Sequence, residues 1–169
     1  MNSEVPIRLV LVDPPSEVDF GIQRGRGAQY EPAFVQRRKD GDVSFDLSLV
    51  LAENRKDGLP IFQGPFAQGP PAKRFVYIDV GTYAGQKDTQ WARRMIVPLG
   101  GITRALITKV LSRGGQRLLA RIPGTGKDGG PNCATVKLLG DWQVIRDGPG
   151  PKKGSGDDRP RRRRSAKSR

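Results

Sequence analysis

Arginine and aromatic side chains are concentrated between positions 74 and 94 of the chain. An aromatic ring can stack on a planar ligand while a neighbouring guanidinium binds a carboxylate or a phosphate. The same residue types also occur at ordinary sheet edges, where arginine stems cover apolar surface. The pattern makes this segment a candidate ligand-binding window. Its members are Arg74, Tyr77, Tyr83, Gln86, Trp91, Arg93 and Arg94.

A second candidate is the glycine-rich segment Gly124–Gly129, which fits the spelling GxGxxG. In dinucleotide-binding proteins this motif precedes a helix whose N-terminus holds a pyrophosphate. Here Pro131 and an alternating apolar pattern follow, so the sequence favours a glycine-rich turn between two strands. Backbone amides in such a turn can hold an anion beside Lys127. We therefore include Lys127 and Asp128 among the candidate binding residues.

Missing residue types restrict the possible chemistry. The chain has no histidine and one cysteine, which excludes Ser-His-Asp triads, Cys-His dyads, metal centres built on His or several Cys, and intrachain disulfides. No metal or cofactor is predicted. Cys133 is expected to be partly exposed and to lack an activating base. Asp79 is expected to pair with Arg74 or Arg93, whereas burial of Asp79 or Asp128 beside Lys or Tyr would indicate catalysis.

Positive charge is concentrated near the C-terminal end. The chain carries 30 Lys and Arg against 17 Asp and Glu, a net charge of +13, and residues 151–169 hold nine of these cations and two of the acids. Because this segment has no large apolar side chain, we expect a disordered basic tail over residues 149–169, after a single globular domain at residues 1–148. Such a tail either binds nucleic acid or merely solubilises the chain. The candidate nucleic-acid-binding residues are Arg161, Arg162, Arg163 and Arg164.

The rest of the sequence is organised as short strands. Apolar residues alternate with polar ones in several segments, which indicates strands with one buried face. A helical stripe covers about residues 102–113, where Thr103 or Gly101 can cap the start and Gly114–Gly115 ends the helix. We predict a mainly β fold, an antiparallel β-barrel or β-sandwich of about eight to nine strands with one packed α-helix. The predicted strands are Ile7–Val12, Val18–Gln23, Ala33–Gln36, Val43–Leu49, Phe75–Val80, Met95–Val97, Leu118–Ile122, Ala134–Leu138 and Trp142–Val144.

A long loop is predicted from Glu53 to about Lys73. It is rich in Gly-Pro pairs and longer than most loops, which is typical of a functional loop or a lid. Phe62 and Phe66 are expected to pack back onto the domain. We expect this loop, the arginine–aromatic window and the segment 123–132 to surround one pocket.

The sequence shows no membrane or export signal. No stretch reaches the roughly 18 consecutive apolar residues of a membrane span. Glu4 lies where a secretory signal has basic residues, and the apolar run Ile7–Val12 is interrupted by Arg8. A cytoplasmic location without membrane contact is therefore expected.

Four longer phrases are spread, in this order, over most of residues 5–146: VDFGIQRGRG, FQGPFAQGPPAKRFVYIDVGTYAGQ, RRMIVPLGGIT and ARIPGTGKDGGPNCATVKLL. They resemble a family of short, uncharacterised bacterial proteins, a domain of unknown function. The resemblance implies a compact intracellular bacterial domain, and it carries over no activity, cofactor or catalytic residue. The basic tail lies outside it.

Three hypotheses from different functional classes fit these residues. The first is a non-enzymatic binding domain for an anionic or polar-aromatic small ligand, or for a protein partner. The second is nucleic-acid association through the tail, independent of base sequence and strongly dependent on salt. The third is an enzyme that works without histidine.

Overall fold

The computed structural model describes residues 3–25, 31–37, 40–52, 60–82, 88–124 and 133–146. All nine predicted strands overlap strands found in these ranges, and the two-residue β5 is additional. The strands are β1 (Ser3–Val12), β2 (Val18–Arg24), β3 (Glu31–Arg37), β4 (Val43–Leu51), β5 (Phe62–Gln63), β6 (Phe75–Thr82), β7 (Gln90–Pro98), β8 (Gln116–Pro123), β9 (Cys133–Thr135) and β10 (Gln143–Arg146). One α-helix, α1, is formed by Arg104–Leu111.

Within the described ranges these strands form two open five-stranded sheets and no closed barrel. The first sheet has the order β10-β8-β1-β4-β5, and the second has the order β3-β2-β6-β7-β9. Both sheets are mixed, because β8 runs parallel to β1 and β9 runs parallel to β7, while the other pairs are antiparallel. The fold is therefore mainly β and sandwich-like.

One detail of the predicted fold needs correction. The sheets are not purely antiparallel. The described residues contain ten strands, of which β5 has only two residues. Alternation along a strand reports which face a side chain occupies, but it carries no information about strand direction. Direction is set by pairing between segments far apart in the sequence, as for β1 and β8.

The hydrophobic core includes residues from both sheets. Ile7 and Leu9 of β1 have no exposed surface, and Phe20, Ile78 and Val97 of the second sheet belong to the same cluster. Neighbouring residues of a strand point to opposite faces, so the residues between these core positions occupy the outer face of the second sheet. On β2 and β6 these outward residues are Asp19, Gly21, Gln23, Tyr77, Asp79 and Gly81.

The helix α1 packs against β1, β8 and β10 of the first sheet. Its start is capped as predicted, because the Thr103 hydroxyl accepts a hydrogen bond from the backbone N–H of Leu106 at 3.2 Å. Ile107 and Val110 are its buried residues. In the described part of the chain, no helix has both the length and the apolar composition that a membrane crossing requires.

The described part of the predicted long loop, residues 60–73, is packed onto the domain. Phe62 is buried and belongs to β5, which pairs with β4. Phe66 is partly buried against the core. The backbone of Gln68 exchanges two hydrogen bonds with that of Phe75, at 2.8 and 3.0 Å. Both phenylalanines therefore pack as predicted, while residues 53–59 lie outside the described residues.

Candidate functional site

A bulge in β7 places an aromatic ring and an arginine on the same face of the second sheet. Arg94 pairs with Asp79 of β6, and Trp91 pairs with Gly81, which leaves Ala92 as an extra residue between the two registers. Without this extra residue, strict alternation would turn Trp91 toward the core and away from the Arg94 face. The bulge thus gives Trp91 an outward position.

Two glycines make room for the indole of Trp91. A Cβ added to Gly81 would lie 2.9 Å from the indole and 2.9 Å from the carbonyl oxygen of Gln90. A Cβ added to Gly21 would lie 3.5 Å from the indole and 3.0 Å from the side chain of Pro32. At Gly81 the side chain of Thr89, the backbone and the indole together exclude a Cβ, whereas at Gly21 the indole is only in ordinary contact and Pro32 is the tighter neighbour. The ring remains 39% exposed above these two positions.

Asp79 provides a buried carboxylate beside this ring. Arg94 Nε donates to Asp79 Oδ1 at 2.8 Å, and Gln23 Nε2 donates to Asp79 Oδ2. The Arg94 guanidinium also stacks on Tyr77, with 4.6 Å between Cζ and the ring centroid. Burial by itself lowers the pKa of Arg94, but the hydrogen bond and charge of Asp79, with smaller contributions from Tyr77 and Cys133, raise this pKa above its ordinary value.

A second buried carboxylate lies on the same face of β2. Asp19 is 2% exposed and accepts two hydrogen bonds from Arg37, Nε to Oδ1 at 2.7 Å and NH2 to Oδ2 at 3.0 Å. The Thr89 hydroxyl donates a further bond. The bonds from Arg37 lower the pKa of Asp19, burial opposes them, and the bond from Thr89 adds to the lowering. In the β2–β6 ladder Asp19 pairs with Gly81, and Asp79 pairs with Gly21.

An open cavity of about 390 Å³ lies on the outer face of the second sheet. Small-molecule sites typically have volumes of about 300–1,000 Å³, so this cavity is large enough for a small ligand. Arg94 is balanced by Asp79, while Arg93 has no ion-pair partner within the described ranges. The lining therefore includes an aromatic side chain and two arginines, of which Arg94 is paired with Asp79. The polar and aromatic lining of the cavity consists of Gln23, Asp79, Trp91, Arg93, Arg94 and Cys133.

Gln23 contributes a polar atom with an unmet hydrogen bond to the wall of this cavity. The residue is 3% exposed, and its Nε2 is bonded to Asp79. Its Oε1 has no partner among the described residues. A buried acceptor without a donor costs about 1–3 kcal/mol. An N–H or O–H group brought by a ligand would recover part of this cost.

A second concavity, of about 420 Å³, is less suited to an anion. It lies beside the connection from β3 to β4 and is lined by Gln36, Arg37, Asp40, Asp42 and Val43. The arginine there is already bonded to the buried carboxylate of β2, as described above. The two remaining carboxylates repel a negatively charged ligand.

The structure brings part of the predicted window together. Trp91 and Arg93 line the cavity, and Tyr77 lies under the guanidinium of Arg94. Asp79 forms the expected ion pair, but its partner is Arg94 instead of Arg74 or Arg93. This correction follows from the β6–β7 register, which no local pattern specifies.

Arg74 lies apart from the cavity, at the junction between the residue 60–73 segment and β6. Its Nε donates to the carbonyl oxygen of Phe62 at 2.9 Å, and its NH1 donates to that of Gly69. It also lines a hollow of only about 60 Å³. Arg74 therefore holds the segment 60–73 against the start of β6 by hydrogen bonds. No residue of this segment lines the cavity.

The other predicted binding residues lie outside the described residues. They are Tyr83, Gln86, Lys127, Asp128, Arg161, Arg162, Arg163 and Arg164. The predicted pocket of three segments therefore has one described contributor, the window at β6–β7. Cys133 is exposed, as expected, and adds the start of β9 to the same cavity.

We did not predict that Asp19 and Gln23 are buried, or that Arg37 binds the carboxylate of Asp19. The alternation of Asp19, Gly21 and Gln23 with apolar residues marked an outward face, which is ordinarily wet. Gly21 and Gly81 were a sequence signal that this face is covered. The signal can be interpreted only once the structure shows the indole of Trp91 above these two glycines.

Asp79 is the acidic side chain in the lining of this cavity. Each oxygen of Asp79 accepts a hydrogen bond, Oδ1 from Arg94 Nε and Oδ2 from Gln23 Nε2. Across the described ranges, no group of three or more His, Cys, Asp or Glu residues could hold a metal ion. The cavity offers a cation, an aromatic face and an acceptor oxygen, which are recognition groups.

A protein-family model matches residues 5–145 and is described as a family of unknown function (DUF5990). The match spans most of the chain, which therefore belongs to this family. No curated protein and no solved structure matches the chain.

Proposed function

We propose that this member of the DUF5990 family is a binding domain that holds a small, planar, anionic ligand without changing it chemically. The observation that carries the proposal is the 390 Å³ cavity whose lining includes Trp91, Arg93, Arg94 and the buried Asp79. A cytoplasmic location of the protein is part of the same proposal.

The cation and the ring have complementary tasks. Arg93 has no intramolecular ion pair in the described ranges, so it can form charge-assisted hydrogen bonds with a ligand carboxylate or phosphate. Trp91 is held outward by the bulge and supported by glycines, so it offers a preorganised stacking surface. Asp79 fixes the orientation of Arg94 at the cavity wall.

The test is a binding titration of the full chain with aromatic carboxylates, each compared with its primary amide. The amide keeps the ring and its shape but removes the negative charge. We expect the carboxylates to bind at least about tenfold more tightly, which corresponds to about 1.4 kcal/mol. Isothermal titration calorimetry at low ionic strength measures the difference.

Matched variants locate the binding site. Arg93→Gln should remove the preference for carboxylates, and Trp91→Leu should weaken carboxylates and amides alike by about 1–3 kcal/mol. Arg121→Gln is the control, since this exposed arginine lies on β8 of the other sheet and its loss changes the net charge equally. Equal effects of Arg93→Gln and Arg121→Gln would contradict the proposal.

Nucleic-acid association through the C-terminal segment is the second candidate function. The observation that favours it is the excess of cations in residues 151–169. Binding of a mixed-sequence oligonucleotide should fall steeply with salt and disappear in a chain ending at Gly148. If the shortened chain binds equally well, the tail is not responsible.

A further inference from the structure

The single cysteine of the chain lies at the cavity. Cys133 is the first residue of β9 and pairs with Arg94 across the parallel β7–β9 ladder. Its side chain is exposed, and it lines the cavity together with Arg93. Because no second cysteine exists, a disulfide at this thiol can form only with another molecule.

A second, independent observation points to a ligand at the same place. Gln23 is nine-tenths buried or more, lines the cavity, and has an Oε1 without a partner in the described part of the chain. This oxygen calls for an N–H or O–H donor. The cavity lining thus brings together a thiol, Arg93 and a glutamine whose buried amide oxygen lacks a donor.

We infer that Cys133 is a modification site for small disulfides that carry a carboxylate and an amide N–H, that is, for peptide-like disulfides. The Cys133 thiol first loses its proton to solvent. Its sulfur then attacks one sulfur of the disulfide, a Cys133 Sγ–S bond forms, the reagent's S–S bond breaks, and the other half leaves as a thiolate with the electron pair. Arg93 binds the carboxylate of the attached half, and Gln23 Oε1 accepts its N–H.

The adduct occupies the cavity, and this has a consequence for binding. A tripeptide-sized group fills much of a volume of about 390 Å³. Reversible ligands of the proposed function are therefore excluded while the mixed disulfide persists, and a thiol reductant restores binding. The inference shares its cavity with the proposed function but depends on the thiol as well.

The experiment compares two disulfides on the full chain by intact-mass spectrometry. Glutathione disulfide carries carboxylates and amide N–H groups, whereas cystamine is cationic and has neither. We expect one adduct per chain and a rate constant for glutathione disulfide at least about tenfold above that for cystamine. The ratio should fall as salt is added, since the charges near the opening are partly solvated.

Variants separate the cavity from the general positive charge of the chain. Arg93→Gln should lower the rate ratio about tenfold, while Arg121→Gln, which removes the same charge from the other sheet, should leave it unchanged. Gln23→Leu should lower the rate for glutathione disulfide. Equal rates for the two disulfides, or equal effects of the two arginine variants, overturn the inference.

A fourth variant distinguishes this inference from the proposed function. Cys133→Ser should form no adduct with either disulfide, while reversible binding of aromatic carboxylates is measured on the reduced, unmodified chain. Carboxylate binding without selective thiol modification leaves the proposed function standing and refutes the inference. Selective modification without reversible carboxylate binding supports the inference and refutes the proposed function.

Discussion

The ion pair between Asp79 and Arg94 should stabilise the domain more than a shorter pair on the opposite sheet. In the first sheet, Arg8 Nε lies 2.6 Å from Asp46 Oδ1, and the two side chains are 27% and 43% exposed. Arg94 Nε lies 2.8 Å from Asp79 Oδ1, and the side chains are 33% and 6% exposed. Distance alone favours the first pair, whereas burial of the carboxylate favours the second.

The magnitudes follow from these exposures. Breaking a buried pair costs about 3–5 kcal/mol, but a third of Arg94 remains in contact with water, so we expect about 3 kcal/mol for Asp79→Ala. This includes the loss of the acceptor for Gln23. The coupling energy between Asp79 and Arg94 in a double-mutant cycle should be about 2 kcal/mol. The Arg8 pair is bidentate, but its carboxylate is 43% exposed, so it should give about 0.2–1 kcal/mol.

Urea unfolding of both complete cycles provides the assay. A domain of ordinary stability, about 5–15 kcal/mol, remains folded with any one of these substitutions, so free energies of unfolding can be compared. A coupling energy for Asp79 and Arg94 that is no larger than that for Arg8 and Asp46 would refute the reasoning. The cavity wall would then not depend on the buried carboxylate.

Two further perturbations address the same face of the second sheet. The lowered pKa of Asp19 means that its stabilising contribution is complete above the unfolded value of about 3.9 and is lost as the pH falls through the lower folded value. Arg37→Gln should therefore destabilise the chain at pH 6, and this effect should decrease as the pH is lowered below about 3.9, as measured by urea titration at a series of pH values. An effect that grows as the pH falls would contradict it. Gly81→Ala should destabilise the domain by about 1–3 kcal/mol and alter the fluorescence of Trp91, because the new methyl group meets the indole. Gly100→Ala, with nothing near its Cβ, is the matched control and should do neither.

Strands and helix follow from local patterns, and this explains why they could be predicted. In Val43–Leu51 the side chains alternate between buried and exposed, as the sequence does. The cap at Thr103 likewise depends only on neighbours in the chain. Sheet order and strand direction depend on partners more than a hundred residues apart, such as Ile7 and Leu118, and no local signal specifies them.

The candidate site shows the same division between local and distant information. The arginine–aromatic composition identified Trp91 and Arg93, which do line the cavity. It also included Arg74, because composition cannot tell a loop-fastening arginine from one that faces a ligand. Gln23 was missed because its importance depends on Asp79, which faces it only after the chain has folded.

The central claim is that small aromatic anions bind on the outer face of the second sheet, beside Trp91. The chain has two tryptophans, and Trp142 is buried in the core, so the two indole N–H signals in a ¹H–¹⁵N spectrum serve as site and reference. Titration of the full chain with aromatic carboxylates should shift the Trp91 indole signal and leave that of Trp142 in place. A spectrum in which neither indole responds, or in which only Trp142 responds, would contradict the account.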